Sequence, residues 1–286
     1  MRPGAGVWGL VRTSRGIVDN EQMRRLLPLV PALLIMACGS RSTLPAKDEI
    51  NVATAANLMR VFAELGQIFE RETGIHLVTS FGATTQLAQQ IEHGAPYDVF
   101  AAADTEHVDA LARKGLIFED TRAIYARGKL VLWVPGERTP VARLEDLARA
   151  DVTHIAVANP QLAPYGRAAV ETLHALHLWE AAQPRIVFAQ NVSMATQYAA
   201  TGNADAAFTA LALVYDKAGR KIEVPAKLHA PIDQAIAVLR SSAKPEQARK
   251  FVAFIAGKKA REIFKLATMA DGTSILVSGN MAWVLP

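Results

Sequence analysis

The chain has 286 residues, of which 51% are hydrophobic, and carries a formal net charge of +4 at pH 7. This length accommodates one large domain or two ordinary ones. The first 37 residues hold five arginines against Asp19 and Glu21, a net charge of +3 that leaves +1 for the rest of the chain. The remaining charges are scattered and form no basic stripe, which argues against nucleic-acid binding.

The N-terminal segment has the pattern of a secretory signal. Met23-Arg-Arg25 precedes a short apolar run that ends at Cys38 and is too short to span a bilayer comfortably. Ile35-Met-Ala-Cys38 resembles a bacterial lipobox, in which the cysteine is lipidated and becomes the mature N-terminus. Cys38 is also the only cysteine, which is unusual for an exported protein unless that thiol has a purpose.

We therefore predict a signal peptide with a lipobox over residues 1–38 and a flexible tether over 39–48. Met23 is a second candidate for the true start. The alternative is an ordinary signal peptide whose apolar segment happens to contain a cysteine. The favoured interpretation places the protein in the periplasm or at the cell surface, anchored to a membrane through lipidated Cys38.

Strand and helix patterns alternate from residue 49 onward. The periodicity predicts strands at 49–55, 75–80 and 97–103, with helices at 57–73, at 84–92 and from Asp104 to Gly115. This alternation is typical of a mostly parallel sheet that is covered by helices on both faces.

A second unit with the same alternation follows. Its predicted strands are 129–134, 154–158, 185–189 and 206–209, and its predicted helices are 144–149, 166–176 and 193–201. A further apolar strand at 232–239 precedes a long helix at 245–264, whereas residues 267–280 show no clear periodicity. The pattern predicts an α/β fold of two lobes, the first formed by 49–128 plus 232–286 and the second by 129–231. Strands 129–134 and 232–239 would cross between the lobes near a hinge, leaving a cleft at the interface.

Several strand-to-helix corners carry small or neutral polar residues. Asn57 and Thr84 each stand where a strand gives way to a helix, so each is either a helix cap or a donor to a ligand. Tyr165 lies between Pro164 and Gly166 at another corner, and Val192 precedes a predicted helix, where it can offer its backbone N–H. Such corners direct unpaired N–H groups at an anion without any cationic side chain. The arrangement predicts an oxyanion clamp.

Patterns typical of catalysis are missing from the sequence. It has no GxSxG motif, no phosphate-binding glycine loop with lysine, no convincing dinucleotide fingerprint and no nucleophile–base pair. His174 and His177 could reach one metal ion, but they have no companion ligand at a suitable spacing, and a solvated helix face explains them better. We predict that the protein is not an enzyme and uses no cofactor.

With these residues in view, the chain resembles the periplasmic molybdate-binding proteins of ABC importers. The resemblance implies the two-lobed fold of type II periplasmic binding proteins and a tetrahedral dianion, molybdate and with it tungstate, as the ligand. The segments that carry it are 52–58 (VATAANL), 79–87 (TSFGATTQL), 94–100 (GAPYDVF), 128–133 (GKLVLW), 156–166 (AVANPQLAPYG) and 200–208 (ATGNADAAF).

The resemblance also implies a set of binding residues. Asn57 and Thr84 would bind from the first lobe, and Tyr165 and Val192 from the second. The neighbouring residues Ala56 and Thr85 are further candidates. The chain departs from the family pattern where Thr84 replaces a more usual serine. It also has Ala210 where some members have a tyrosine.

The function predicted in this way is capture of molybdate and its delivery to an ABC permease in the cytoplasmic membrane, by a monomer. The nearest alternative is the same fold binding sulfate, phosphate or a small organic anion. A lipid-anchored α/β enzyme and a structural or adhesive lipoprotein are the alternatives from other classes. The enzyme would need an activated nucleophile or paired carboxylates. The structural or adhesive lipoprotein would not need the strand-to-helix corners that can bind an anion.

Overall fold

The computed structural model describes residues 48–136 and 141–268, with side chains up to 265. All described residues belong to one compact unit. The predictions for the signal peptide, Cys38, most of the tether and the tail beyond 268 therefore lie outside the described residues. Within the described part, no helix is long and apolar enough to cross a membrane.

The first of two five-stranded sheets has the order β2-β1-β3-β10-β4. Strands β1, β2 and β3 are mutually parallel, whereas β10 is antiparallel to both of its neighbours, β3 and β4. The strands of this sheet are β1 (Glu49–Ala55), β2 (His76–Gly82), β3 (Val99–Ala101), β4 (Ala123–Gly128) and β10 (Ile232–Val238).

The second sheet repeats this plan in the order β7-β6-β8-β5-β9. Strands β6, β7 and β8 are parallel, and β5 is antiparallel to its neighbours β8 and β9. Each sheet has one strand that runs antiparallel to its neighbours. In the chain this strand comes directly after a strand of the other sheet: β5 follows β4, and β10 follows β9. The strands are β5 (Leu130–Val134), β6 (Ile155–Ala158), β7 (Ile186–Ala189), β8 (Ala206–Ala210) and β9 (Arg220–Glu223).

Helices cover both sheets. They are α1 (Met59–Thr73), α2 (Thr84–Glu92), α3 (Glu106–Arg113), α4 (Pro164–Ala175), α5 (Trp179–Ala182), α6 (Val192–Ala200), α7 (Leu211–Val214), α8 (Pro245–Ala256) and α9 (Lys258–Thr268). We call the first sheet with its helices the first lobe and the second sheet with its helices the second lobe. The two-lobed α/β fold predicted from the sequence is confirmed.

The core explains why these segments form these elements. Strand β5 is buried along its whole length, as expected for a strand covered on both faces. Helix α1 buries Val61, Phe62, Leu65 and Phe69, whose spacing places them along one helical stripe. Phe62 and Phe69 pack edge-on against Phe251 of α8, with ring centroids 5.9 and 5.1 Å apart. Buried aromatic packing of this kind holds the helices on the first sheet.

Some elements differ from those predicted. The predicted helix at 245–264 is two helices, because the backbone is extended at Gly257 (φ −77°, ψ 169°). The strand predicted at 97–103 is reduced to Val99–Ala101, and the segment predicted as a helix at 144–149 is a 3-10 helix, Leu144–Ala148. Strands β4 and β9 were not predicted. Neither forms a continuous apolar run, since β4 mixes buried, half-buried and exposed positions and β9 has no buried residue, so their signal is weaker.

The topology brings four corners to the cleft. Strands β1, β2, β6 and β7 each run parallel to a neighbour, and each is followed by a helix or a 3-10 turn that starts within a few residues of the strand end. The carboxyl ends of parallel strands lie at one edge of their sheet, and this is the edge at which ligands bind in α/β folds.

Candidate functional site

A small cavity lies where the four corners meet. It contains at most about 190 Å³ of space that is not filled by atoms. This upper limit lies below the roughly 300–1,000 Å³ of pockets that hold drug-sized ligands, so the cavity suits only a small solute. The twelve residues that line it are Ala55, Ala56, Asn57, Gly82, Ala83, Thr84, Ala103, Ala163, Pro164, Tyr165, Asn191 and Val192.

The β1 corner contributes Ala56 and Asn57. They form a 3-10 turn, Ala56–Leu58, ahead of α1, and Ala55 occupies the N-cap position of this turn. Asn57 therefore does not cap the helix, and its side chain, only 1% exposed, has another use. Its Nδ2 donates to Oε1 of Gln234 at 2.7 Å, whereas its Oδ1 is buried and has no hydrogen-bond partner among the described residues.

The β2 corner contributes Thr84, the first residue of α2. Its hydroxyl oxygen accepts a hydrogen bond from the backbone N–H of Ala103 at 3.1 Å. Because that bond occupies a lone pair, the hydroxyl proton stays available to a molecule in the cavity. Thr84 is 1% exposed, so any ligand that reaches it must itself be enclosed.

Thr85, the next residue, does not line the cavity. Its backbone N–H donates to the Leu162 carbonyl of the second lobe at 3.2 Å, and its hydroxyl donates to the Gln161 carbonyl at 3.3 Å. The same hydroxyl lies 3.0 Å from Nε2 of His107. In this structure Thr85 bridges the two lobes, and its donors are already occupied.

The β6 corner places Tyr165 at the cavity. Pro164 has no N–H, Ala163 donates to the Asn159 carbonyl at 2.9 Å, and Gly166 donates to the Ala163 carbonyl at 3.0 Å. Tyr165 thus holds the backbone donor of this turn that remains for a ligand. Residue 166 must be a glycine for steric reasons, since a Cβ there would lie 2.0 Å from the carbonyl oxygen of Ala158.

The β7 corner contributes Val192, the first residue of α6. The residue before it, Asn191, caps this helix, because its side-chain oxygen accepts from the backbone N–H of Met194 at 3.0 Å. Capping satisfies the third N–H of the helix, whereas Val192, the first residue of the helix, lines the cavity. Asn191 also lines the cavity. It was not predicted, although an asparagine directly before a helical pattern is the usual signal for a cap.

The cavity is electrostatically neutral. None of its twelve lining residues is Asp, Glu, Lys, Arg or His, and the one titratable group is the phenol of Tyr165. Burial raises the pKa of Tyr165 above its ordinary value, with a smaller opposing effect from a hydrogen bond with Asn57, so the phenol stays protonated. Favourable potential for an anion comes instead from helix N-termini, each equivalent to roughly half a positive charge.

Comparison with known proteins now identifies the family. A family profile described as "Bacterial extracellular solute-binding protein" matches residues 50–267. The chain belongs to this family. Like the lining of the cavity, the match spans both lobes of this solute-binding protein.

Two relatives and one solved structure are similar to this chain over most of its length. The molybdate-binding protein ModA of Azotobacter vinelandii is 36% identical over 237 residues, which are 81% of this chain and 91% of the relative. ModA of Rhodobacter capsulatus is 34% identical, covering 77% of this chain and 87% of the relative. The solved structure of the A. vinelandii periplasmic molybdate-binding protein, 36% identical, superposes with a TM-score of 0.73 and covers 76% of this chain and 97% of that one.

The structure of this solute-binding protein brings most of the predicted residues together. Asn57, Thr84, Tyr165, Val192 and Ala56 all line one cavity, whereas Thr85 lies beside it. Ala210 ends β8 and is not among the lining residues. The predicted lipidation site, Cys38, lies outside the described residues. His174 stacks on the Trp179 ring at 4.8 Å, and no group of metal-binding side chains occurs in the described part of the chain.

Contacts across the cleft hold the two lobes of the solute-binding protein together. Arg167 on α4 forms ion pairs with Glu106 at 2.9 Å and with Asp104 at 3.3 Å, both on the first lobe. Arg60 on α1 pairs with Asp216 of the second lobe and stacks over the Tyr215 ring. With the Thr85 bonds, these contacts describe a closed conformation in which the cavity is enclosed between the lobes.

Proposed function

We propose that this solute-binding protein captures molybdate in the cavity between its lobes. The observation that carries the proposal is an enclosed, small cavity that is lined by neutral donors from four strand-to-helix corners and has no charged side chain. The donors assigned to the ligand are the Asn57 amide, the Thr84 hydroxyl and the backbone N–H groups of Ala56, Tyr165 and Val192. The relatives that share this chain's length and fold support the choice of ion.

The physical case rests on how a buried dianion is stabilised. Burial of an ion is very unfavourable unless its oxygens are hydrogen-bonded, and bonds to a charged acceptor are roughly twice as strong as neutral ones. Preformed N–H groups at helix N-termini meet this requirement without a counter-ion. Cavity size then selects among tetrahedral ions, because sulfate, with shorter bonds, would leave donors unsatisfied. Tungstate, nearly the same size as molybdate, would be accepted too.

One observation favours a second candidate, hydrogen phosphate. Asn57 lines the cavity, and its buried Oδ1 has no partner among the described residues. This oxygen is an acceptor, which suits an oxyanion that still carries a proton. Molybdate and tungstate carry no proton near neutral pH and would need a donor at the same place. The two candidates therefore differ in the group that Asn57 offers.

In the cell, the protein would deliver its ion to an ABC permease driven by a cytoplasmic ATPase. We propose that it works as a monomer without catalysis or a cofactor, and that lipidated Cys38 anchors it to a membrane. Opening of the lobes about the strands that join them, β4 to β5 and β9 to β10, would release the ion. The lobe boundaries at residues 128/129 and 231/232 are part of this proposal, and a change of radius of gyration on ion binding would support them.

Thermal unfolding of the purified protein tests the function when molybdate, tungstate, sulfate or phosphate is added in excess. An ion present at about a hundredfold over its dissociation constant should stabilise the protein by about 2.7 kcal/mol. We expect an upward shift of Tm with molybdate and tungstate and none with sulfate or phosphate. A shift with phosphate alone would replace molybdate by the second candidate, and a shift with none of the ions would exclude an oxyanion.

Removal of the ion pairs between the lobes should weaken binding modestly. Arg167→Met deletes the contacts with Asp104 and Glu106, and exposed pairs contribute about 0.2–1 kcal/mol each. We expect an affinity for molybdate that is about two- to thirtyfold lower, measured by calorimetry, with the loss appearing as faster dissociation.

Arg149→Met is the matched control, because Arg149 pairs with Asp151 at 2.9 Å within the second lobe. This variant should bind molybdate like the unchanged protein. Equal effects of the two substitutions would show that Arg167 does not act by holding the lobes together.

A further inference from the structure

A buried polar network lies next to the binding cavity. Gln234 on β10 is 4% exposed, and its Oε1 accepts from Nδ2 of Asn57 at 2.7 Å and from the Tyr125 hydroxyl at 3.2 Å. The Tyr125 hydroxyl lies 3.0 Å from the Ala102 carbonyl, to which it can also donate. The Asn57 side chain also acts on the Tyr165 phenol, because a hydrogen bond with Asn57 opposes the rise that burial causes in the pKa of Tyr165. We call Asn57, Gln234, Tyr125 and Tyr165 the amide network.

As the structure has them, the two amides leave the network unbalanced. Oδ1 of Asn57 is buried without a partner, and an unsatisfied buried acceptor costs about 1–3 kcal/mol. Oε1 of Gln234, by contrast, is approached by two donors. The Tyr125 hydroxyl has a single proton, which it must divide between Gln234 and the Ala102 carbonyl.

Turning both amide planes by half a turn redistributes these hydrogen bonds with no movement of the backbone and leaves a donor, in place of an acceptor, for a ligand to satisfy. Nε2 of Gln234 then takes the place of Oε1, where it has one proton for Asn57 and one for the oxygen of Tyr125. The Tyr125 proton is left for the Ala102 carbonyl alone. Oδ1 of Asn57 takes the place of Nδ2 and accepts from both Gln234 and the Tyr165 hydroxyl. Nδ2 of Asn57 now occupies the position that had no partner.

We propose that Gln234 is a positioning residue that holds the Asn57 amide with its NH₂ group directed at the bound oxyanion. This inference rests on the proposed oxyanion function and adds to it a reason why a fully deprotonated ion is preferred. With the amides turned, the cavity presents a donor at the place where hydrogen phosphate would need an acceptor. Gln234 itself does not line the cavity and acts only through Asn57.

The network also links orientation of the donor to closure of the lobes. Asn57, Gln234 and Tyr125 belong to the first lobe, whereas Tyr165 reaches them from the second. Space for its hydroxyl exists because residue 128 is a glycine, at which a Cβ would lie 2.1 Å from that oxygen and 3.1 Å from Nε2 of Gln234. The Tyr165 hydroxyl supplies the second donor to Oδ1 of Asn57 only when the lobes are closed.

A double-mutant cycle tests whether Gln234 acts through Asn57. Molybdate affinity is measured by calorimetry for the unchanged protein, Asn57→Ala, Gln234→Met and the double variant. We expect Gln234→Met to weaken binding about tenfold, since a methionine of similar length cannot orient the amide, and the double variant to bind no more weakly than Asn57→Ala alone. Additive losses, or an affinity of Gln234→Met within twofold of the unchanged protein, would overturn the proposal.

A spectroscopic readout separates orientation from a structural effect. In ¹⁵N-labelled protein the side-chain NH₂ signals of Asn57 are identified by their absence from Asn57→Ala. We expect molybdate to shift them strongly in the unchanged protein and much less in Gln234→Met. Equal shifts in the two proteins would contradict the proposal.

Two further variants test the network in case Gln234→Met does not fold. Tyr125→Phe keeps Gln234 and removes the oxygen that takes its second amide proton, so a loss of about threefold is expected; no loss would contradict the network. Thr121→Val removes a buried hydroxyl that accepts from Val238 N–H at 2.9 Å, on the same strand as Gln234 but away from the cavity. It should lower Tm and leave affinity unchanged. If the unchanged protein binds no molybdate, the proposed function fails, whereas binding that is insensitive to Gln234 removes only this inference.

Discussion

Asn57→Asp is expected to lower the affinity for molybdate at least about 1000-fold. Asn57 is 1% exposed and lines the cavity, so an aspartate there would face the ion with little water between them. Two unit charges 4 Å apart repel by about 4 kcal/mol at an effective dielectric constant of 20, and a dianion doubles this. Since each 1.4 kcal/mol is tenfold in affinity, repulsion by one of the two charges alone accounts for the expected loss.

Asn57→Ala separates the charge from the lost hydrogen bond. It removes the donor and adds no charge, and a bond to a charged group contributes about 1.5–3 kcal/mol, so a loss of roughly 10- to 100-fold is expected. Calorimetry at constant ionic strength gives both affinities, and Tm of each ligand-free variant shows that it is folded. If the aspartate variant bound as well as the alanine variant, the ion would lie away from this corner.

The predicted residues that line the cavity could be recognised in the sequence because they follow from local patterns. Each lies where an apolar strand gives way to a helical pattern, and the carboxyl ends of parallel strands converge at one edge. Asn57 and Val192 are 135 positions apart, yet each is recognisable from its own ten neighbours. The sequence thus specified the corners, and their meeting in one cavity depends on the topology of the sheets.

Partners that depend on distant segments could not be predicted in this way. Gln234 lies 177 residues from Asn57, beside Asp233 in a strand that is otherwise apolar, and neither polar residue carries a signal of its purpose. Thr85 has the same residue type as Thr84 and follows it directly, so no pattern separates the ligand donor from the bridge between lobes. The distinction arises because one residue along a helix turns the side chain by about 100°.

The neutral donors in the cavity and the ion pairs between the lobes have separate roles. The residues that line the cavity are neutral. Charged side chains lie outside it, where Arg167 pairs with acidic residues of the other lobe instead of with the ion. A cation inside would bind any small dianion strongly, whereas fixed neutral donors favour the ion whose oxygens reach all of them. Selectivity and closure are thereby assigned to different residues.

Gly166→Ala is expected to be strongly destabilising and to abolish binding. The added Cβ would lie 2.0 Å from the Ala158 carbonyl oxygen and 2.7 Å from its carbon, both backbone atoms that no rotamer change can move. Relief requires α4 to shift away from β6, and overpacking of this kind costs about 1–3 kcal/mol or more. The shift carries the Tyr165 N–H away from the cavity, so affinity for molybdate should fall by about two orders of magnitude or more in whatever protein remains folded.

Gly66→Ala is the matched control, because it makes the same chemical change within a helix. In α1 the new Cβ would meet only the Leu77 side chain, at 3.3 Å, and that side chain can adjust. Alanine is favoured over glycine in a helix interior by about 0.5–1 kcal/mol, so this variant should unfold at the same or a higher denaturant concentration and bind molybdate unchanged. Opposite signs for the two substitutions would show that the close approach of α4 to β6, and not helix propensity, decides the outcome. If Gly166→Ala were as stable as Gly66→Ala, the Tyr165 corner would be able to move without loss, and its N–H could not be a fixed donor.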